Sequence, residues 1–224
     1  MERTPEPELM DDEAQALAYH KADMSDSHSK RIELFQERVP KENLSGQVLD
    51  LGCGSGDIIF RFARAFPEYS FVAVDGAEAM LNIALEELAK DAPLVRRIKF
   101  VQAFIPSEEV PKDDYSVIMS HSFLHHLHNP AVLWETVKDR MTSDTFIFIA
   151  DLRRPESEQI AREIVEERAG AEAEVHRKDF YNSLLAAFTK KELEAQMKQA
   201  GIHGLKVEEV GDIHILVHGK PEIA

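Results

Sequence analysis

The stretch Val48-Leu49-Asp50-Leu51-Gly52-Cys53-Gly54-Ser55-Gly56-Asp57 decides the fold. It reads as a short apolar strand that ends in three alternating glycines and leads directly into a helix. Glycines let backbone N–H groups approach a ligand closely, and the amino end of a helix favours an anion such as a carboxylate. Because such a turn serves dinucleotides and other cofactors alike, it predicts a cofactor site without saying which cofactor is bound.

Apolar strands and helices alternate along the chain beyond this loop. The strand segments are apolar throughout, which is typical of a parallel sheet covered by helices on both faces. The alternation predicts a doubly wound α/β fold with the sheet at its centre. The first five strands are predicted at residues 47–51, 70–75, 98–103, 115–120 and 145–150.

The last part of the chain carries signals for a helix and a hairpin. Thr189 and Glu192 have the spacing of a capping box, in which each side chain binds the other residue's backbone N–H at a helix start. Two strand-like runs, 205–210 and 213–218, are separated by Gly211-Asp212, a pair typical of hairpin turns. We therefore predict a Rossmann-like, mostly parallel seven-stranded sheet whose last strand is antiparallel.

The same reading divides a single domain, residues 1–224, into five segments. Two helices, broken around residues 23–27, are predicted to form a cover before the sheet. A second helical segment interrupts the alternation after the fifth strand, and it is longer than the ~2–6 residues of an ordinary connection, so we predict that it also closes over the site. The segments are a flexible tail (1–12), an N-terminal helical cover (13–46), a cofactor-binding core (47–151), a helical insertion (152–188), and a final helix with the terminal hairpin (189–224).

Composition narrows the class of protein. The 224 residues carry a formal net charge of −15, and an acidic surface repels nucleic-acid phosphates, which makes a nucleic-acid partner unlikely. Cys53 is the only cysteine, which excludes an internal disulfide and a cysteine-rich zinc cluster. The chain starts without a secretory signal and has no apolar run near the ~20 residues of a membrane span. We expect a cytoplasmic protein without a membrane partner, as a monomer or homodimer.

Three aspartates restrict the choice of cofactor. Asp50 precedes the glycine loop and Asp57 follows it, where the pyrophosphate of a dinucleotide would lie. Carboxylates there would repel that group, but they suit a ligand with an ammonium and a sulfonium. The loop also lacks the third glycine position of the dinucleotide fingerprint. Asp75 ends the second strand, where a carboxylate can accept both hydroxyls of a ribose.

The strings VLDLGCGSGD (48–57) and VAVDGAEAML (72–81) resemble the first two motifs of class I S-adenosylmethionine-dependent methyltransferases. The resemblance covers roughly residues 47–151. It implies that S-adenosyl-L-methionine is the cofactor, with its methionine part on residues 50–56 and its ribose on Asp75. The cofactor-binding residues predicted from it and from their positions are Asp50, Gly52, Cys53, Gly54, Gly56, Asp75, Gly76, Met80, Phe104, Ser120 and His121.

Phe104 marks a departure from the family pattern. Members of the family often place an acid shortly after the third strand, where it accepts a hydrogen bond from the adenine amino group. Here Phe104 stands at about that position. The sequence leaves two interpretations open, in which the ring stacks on adenine or belongs to the core.

A cluster of histidines follows the fourth strand. In an open α/β sheet ligands bind at this carboxyl edge, and a histidine there could take a proton from an incoming nucleophile near neutral pH. His125 and His126 are therefore the candidate catalytic residues, although they could equally cap, pack or bind neighbouring acids. Their spacing lacks a paired carboxylate or cysteine set, so no metal site is predicted.

Three more residues are candidates for binding the acceptor. Tyr19 lies in the leading helix and Tyr181 in the insertion, and both could close over the site. Arg153 follows the fifth strand and could hold an acceptor's carboxylate, or it could pair with local acids.

The resemblance implies transfer of a methyl group to a nucleophilic N, O, S or C atom of an acceptor. The chain lacks an Asn/Asp-Pro-Pro-aromatic motif of the kind associated with methylation of base amino groups, which favours a small-molecule acceptor. Two alternatives stay open: a nicotinamide-dependent oxidoreductase, which shares the fold, and a non-catalytic module that binds the cofactor.

Overall fold

Seven strands form one sheet in the computed structural model, which describes residues 1–21 and 25–222. Their order across the sheet is β3-β2-β1-β4-β5-β7-β6. All run parallel except β7, which is antiparallel to both of its neighbours, β5 and β6. The predicted doubly wound sheet with a reversed last strand is confirmed. The strands are β1 (Gly46–Leu51), β2 (Tyr69–Asp75), β3 (Ile98–Gln102), β4 (Tyr115–His121), β5 (Phe146–Leu152), β6 (Lys206–Val210) and β7 (His214–Gly219).

Helices cover both faces of the sheet, and two buried apolar clusters lie between the layers. The predicted capping box is present at the start of α9, where the Thr189 side chain accepts from the backbone of Glu192 and the Glu192 carboxylate accepts from the backbone of Thr189. The helices are α1 (Glu13–Lys21), α2 (Ser25–Arg38), α3 (Asp57–Ala65), α4 (Glu78–Leu88), α5 (Ala92–Val95), α6 (Ala131–Arg140), α7 (Glu158–Ala169), α8 (Glu174–Ala186) and α9 (Lys190–Ala200). None of these helices is long and apolar enough to cross a membrane.

The strand order places the carboxyl ends of the central strands at one edge. The chain moves outward from β1 through β2 to β3, and then returns to the other side of β1 to form β4. At such a reversal the loops that follow the two central strands separate, and a crevice opens between them. The glycine loop after β1 and the histidine-rich loop after β4 border this crevice, as predicted.

The two helices predicted before the sheet are present as α1 and α2. Part of the break predicted between them lies outside the described residues. The break was expected at residues 23–27, and residues 22–24 are not described. Phe35 of α2 is buried and contacts the rings of Phe62 and Phe148 edge to face. This aromatic contact anchors α2 on one face of the sheet.

Residues 1–12 differ from the predicted flexible tail, because specific contacts hold them on the body of the protein. The Arg3 guanidinium donates to the backbone carbonyls of Ala186, His125 and Leu127. It also lies 4.1 Å from the centre of the Phe188 ring, a cation–π contact. The segment has no regular secondary structure, but it crosses the carboxyl edge of the sheet in an ordered path.

The helical insertion also differs from its predicted role as a cover. Helices α7 and α8 pack on each other and on β5, and they share a small apolar cluster with Leu152 and Ile213. Neither helix borders the crevice. Their contribution is indirect: Leu185 accepts a backbone hydrogen bond from Thr4, and Ser183 donates to Glu6, so the insertion supports the N-terminal segment that does reach the crevice.

Candidate active site

A cavity of about 320 Å³ lies at the carboxyl edge of the sheet. This volume is at the lower end of the range for small-molecule sites, about 300–1,000 Å³. Its walls come from the glycine loop, the end of β2, and the loops after β3 and β4. Residues 8–10 of the N-terminal segment and Tyr19 of α1 border it from outside. The cavity is therefore bordered by the loops that the sequence predicted and also by residues 8–10, for which the sequence predicted no role in the site.

The three glycines of the loop have positive φ angles of +77°, +53° and +83° at Gly52, Gly54 and Gly56. At Gly52 an added Cβ would collide with the Phe123 ring, and at Gly56 it would press on the Phe60 ring. At Gly54 the same atom would meet nothing within 4 Å. The outer two glycines are thus required by packing within the protein, and Gly54 is the position where the backbone faces open space.

Asp50 lies at the end of β1 and borders the cavity. It is 2% exposed, and its Oδ1 has no hydrogen-bond partner among the described residues. Burial raises the pKa of the Asp50 carboxyl to about 8, with a smaller contribution from the charge of Asp75. A buried, unpartnered carboxyl is costly, and a cationic ligand in the cavity would relieve that cost.

Replacing Asp50 with asparagine is expected to stabilise the cofactor-free protein, increasingly so with rising pH. Because the folded-state pKa is raised, the native carboxyl keeps a proton that the unfolded chain releases above about pH 4. The wild-type free energy of unfolding should therefore fall between about pH 4 and pH 8, by at most ~1.4 kcal/mol per pH unit. Asparagine does not titrate, so the free energy of unfolding of the variant should exceed that of the wild type by more at pH 8 than at pH 5 when both are measured by urea unfolding. The same difference at both pH values would contradict the raised pKa.

Asp75 ends β2 and closes the glycine loop from the opposite side. Its Oδ2 accepts from the Gly54 N–H at 2.8 Å, and its Oδ1 accepts from the Ala77 N–H at 2.9 Å. Burial raises the pKa of this carboxyl, although the backbone hydrogen bonds act in the opposite direction. Each carboxylate oxygen has a second lone pair, so Asp75 can hold the loop and still accept from two hydroxyls.

The far end of the cavity is formed by Gly76, Met80 and Phe104. Phe104 is 65% exposed, which rules out the interpretation that it belongs to the core. One edge of its ring lies against Gly76, where an added Cβ would be 3.0 Å from the ring. The rest of the ring is free for a planar ligand to stack on.

Ser120 and His121 both lie at the end of β4, but they differ in their access to the cavity. Ser120 is buried and donates to the backbone carbonyl of Leu51 at 2.7 Å. It does not border the cavity, so its hydroxyl ties β4 to β1, contrary to the predicted cofactor contact. His121 does border the cavity, and neither ring nitrogen has a partner among the described residues. Burial, together with the nearby Arg31, holds the pKa of His121 well below its usual range, so the ring is neutral.

The two candidate catalytic histidines also differ in their access to the cavity. His126 borders the cavity, whereas His125 is buried behind it. The Nδ1 atom of His125 bonds to the Asp151 carboxylate. Burial lowers the pKa of His125, but the charge and hydrogen bond of Asp151 outweigh it and raise the pKa overall. Burial lowers the pKa of His126 to about 3.

Of the three predicted acceptor residues, Tyr19 alone borders the cavity. Arg153 lies on the far side of β5, where it donates to the backbone carbonyl of Asp212 and faces the Glu209 carboxylate at 3.8 Å. Tyr181 donates to Glu158 at the surface of the insertion. Both side chains are engaged away from the cavity, which corrects the prediction that they contact an acceptor.

His28 escaped the sequence analysis, whereas His20 of the leading helix is, like Tyr19, a residue that the sequence places near the site. His28 of α2 borders the cavity and bonds to the Asp57 carboxylate. The His20 ring is 3.1 Å from the Ser55 hydroxyl. A histidine on a predicted helix is the sequence signal for these pairs, and it does not say which loop the helix faces.

The sequence is similar to those of known methyltransferases. A family profile described as a methyltransferase domain matches residues 48–142. The ubiquinone/menaquinone biosynthesis C-methyltransferase UbiE of Vibrio vulnificus is 39% identical over 79 residues, which are 34% of this chain and 29% of that protein. The chain spans about a third of the length of the curated relatives it matches.

Comparison of the structure finds the same fold over nearly the whole chain. A SAM-dependent methyltransferase from Aquifex aeolicus has a TM-score of 0.69 at 18% identity, covering 92% of this chain and 97% of that one. Human N-acetylserotonin methyltransferase in complex with SAM has a TM-score of 0.66 at 14% identity, covering 93% and 56%. At these identities the likeness shows a shared fold.

Proposed function

We propose that this chain is a class I S-adenosylmethionine-dependent methyltransferase, as its matched domain and its fold support, and that it transfers a methyl group to a nucleophilic atom of a small-molecule acceptor. The observation that carries the proposal is the arrangement of Asp50, Gly54 and Asp75 around one cavity. A buried carboxyl whose Oδ1 has no partner among the described residues, an open backbone position and a second carboxyl at the next strand end face the same space. These features fit an ammonium, a chain that passes close to the backbone, and a ribose.

The residues present match the parts of the cofactor in order. Asp50 would hold the ammonium, Gly54 would let the methionine chain lie on the loop, and Asp75 would accept from the ribose hydroxyls. Phe104 would stack on the adenine, in place of the acid that the family often has there. When bound, S-adenosylmethionine supplies a methyl group made electrophilic by the sulfonium.

The protein's own contribution to the reaction is to orient the partners and exclude water. The neutral ring of His121 at the cavity wall would not repel the sulfonium, which a protonated ring would do. Because positive charge on sulfur is dispersed during in-line attack, positioning and desolvation are the effects that a protein can add. A separate base is needed only for an acceptor that is protonated at the working pH.

The enclosure of the cavity supports a small acceptor. Glu8, Leu9 and Met10 of the N-terminal segment border the cavity, together with Tyr19 of α1. A polymer would have to displace this segment to reach the cavity, whereas a small molecule would not need to. The net charge of −15 also opposes a nucleic acid.

Labelled methyl transfer tests this proposal without knowledge of the acceptor. The protein is incubated with S-adenosylmethionine carrying a radioactive methyl group and with an extract of its source cells, which is then divided by size. Label should appear in the low-molecular-weight fraction. Label in protein or nucleic acid instead would overturn the small-molecule part of the proposal and leave the methyltransferase part standing.

A further inference from the structure

Three side chains from distant parts of the sequence meet beside the cavity. Glu6 Oε1 lies 3.4 Å from His125 Nε2 and 3.3 Å from His126 Nδ1. The three atoms all lie within 4.8 Å of one another. In a tetrahedral metal site with bonds of about 2.0–2.2 Å, neighbouring ligand atoms are about 3.3–3.6 Å apart. Two of the three separations already have this value.

The contacts in this cluster are not hydrogen bonds. Glu6 Oε1 is buried and has no hydrogen-bond partner among the described residues, although two ring nitrogens are near it. The separations of 3.3 and 3.4 Å exceed the usual 2.7–3.2 Å of an N–H···O bond. Buried carboxylate oxygens are rarely left without a partner. An ion bound by all three atoms would give Glu6 Oε1 the partner that it lacks.

Asp151 supplies the support that metal-binding histidines commonly have. Its carboxylate bonds to Nδ1 of His125 and accepts from the backbone N–H of the same residue at 3.2 Å. A carboxylate on the far nitrogen fixes a histidine's tautomer and orientation and makes it a stronger ligand. His125 is thereby held with Nε2 directed at Glu6.

The charges around the cluster also accommodate a cation. Glu6 and Asp151 supply two carboxylates at or next to the three ligand atoms. Arg3 is a nearby positive charge, and its guanidinium is already bound to three backbone carbonyls and the Phe188 ring. A dication would therefore meet the two carboxylates of Glu6 and Asp151 at close range.

We propose that Glu6, His125 and His126 form a binding site for zinc or a chemically similar divalent transition metal. Two imidazoles and one carboxylate are a donor set that such ions favour, and magnesium and calcium do not. Sequence spacing predicted no metal site, because the two histidines have no paired carboxylate nearby. Glu6 supplies it from the N-terminal segment.

The position of the site has two consequences, one for the wall of the cavity and one for the access of a fourth ligand. A metal would join the N-terminal segment to the loop after β4, fixing the wall of the cavity that Glu8, Leu9 and Met10 form. His126 borders the cavity and is the most exposed of the three ligands, so a fourth ligand can approach from that side. The site stands on its own geometry and does not depend on the proposed methyl transfer.

Competition with a chromophoric zinc chelator tests the proposal on the full-length protein without a histidine tag. We expect one zinc ion per chain, confirmed by elemental analysis, and no competition from excess magnesium. Glu6→Gln and His126→Ala should each lower the zinc affinity by about 10-fold to 100-fold or more. Cobalt in place of zinc should give visible absorption bands in the wild type and not in these variants.

Matched control variants separate the site from ordinary surface binding. Exposed Glu172 and half-buried His176 form a pair on the insertion, with Glu172 Oε2 and His176 Nδ1 3.8 Å apart. Glu172→Gln and His176→Ala should leave zinc affinity unchanged. Circular dichroism confirms that each variant is folded. Zinc affinity that is the same in Glu6→Gln, His126→Ala and the wild type, or that falls equally in the control variants, would overturn the proposal.

Discussion

Replacing Gly54 with valine is expected to abolish cofactor binding and leave the protein folded. The φ of +53° at Gly54 costs a side chain about 1–2 kcal/mol of stability, which a domain of this size tolerates. The added Cβ meets no protein atom within 4 Å, so it enters the space that the ligand would occupy. Calorimetric titration with S-adenosylhomocysteine should show affinity lowered by at least about 100-fold, with thermal unfolding shifted by only a few degrees.

Gly211 provides the control for backbone strain. It lies in the turn between β6 and β7, has a φ of +62°, and an added Cβ there also meets nothing within 4 Å. Gly211→Val should therefore lose similar stability but bind the cofactor as the wild type does. Equal affinity in the Gly54 and Gly211 variants would mean that the ligand does not lie on the glycine loop.

Replacing Asp75 with alanine is expected to weaken cofactor binding by about 2–4 kcal/mol, or roughly 30-fold to 1,000-fold. The estimate assumes two hydrogen bonds from ribose hydroxyls to a charged acceptor, at ~1.5–3 kcal/mol each, with some compensation by water. The substitution also removes the bond that Asp75 accepts from the Gly54 N–H. Loss of affinity alone therefore does not separate ribose recognition from support of the loop.

A cofactor analogue that lacks both ribose hydroxyls makes that separation. The wild type should prefer S-adenosylhomocysteine over its 2′,3′-dideoxy analogue, and Asp75→Ala should bind the two almost equally. If the variant kept the full preference, the hydroxyls would be recognised elsewhere, and Asp75 would act only on the loop.

The central part of the structure could be predicted from the sequence because its signals are local. Apolar strands, glycines at a strand end and the Gly211-Asp212 turn each specify their own geometry, and the reversed last strand follows from that turn. Asp50, Gly54 and Asp75 were found for the same reason, since each stands at the end of a strand and parallel strands end at one edge.

The outer part of the site could not be predicted, because it depends on contacts between distant segments. Glu6 has no local signal that points to His125, and Arg3 binds backbone carbonyls, which every residue has. Arg153 and Tyr181 were placed near the site by position in the chain. The hairpin turn instead engages Arg153, and a helix of the insertion holds Tyr181 at the surface.

The direct test of the account is calorimetric titration of the purified protein with S-adenosylmethionine, with S-adenosylhomocysteine and with oxidised and reduced nicotinamide dinucleotides. We expect binding of S-adenosylmethionine and its demethylated product with one site per chain and affinity in the micromolar range. We expect no binding of either dinucleotide, because the loop lacks the third glycine of the dinucleotide fingerprint and the Asp57 carboxylate, whose pKa is lowered to about 2, borders the cavity where the pyrophosphate would lie. Binding of a dinucleotide in preference to S-adenosylmethionine would contradict the account.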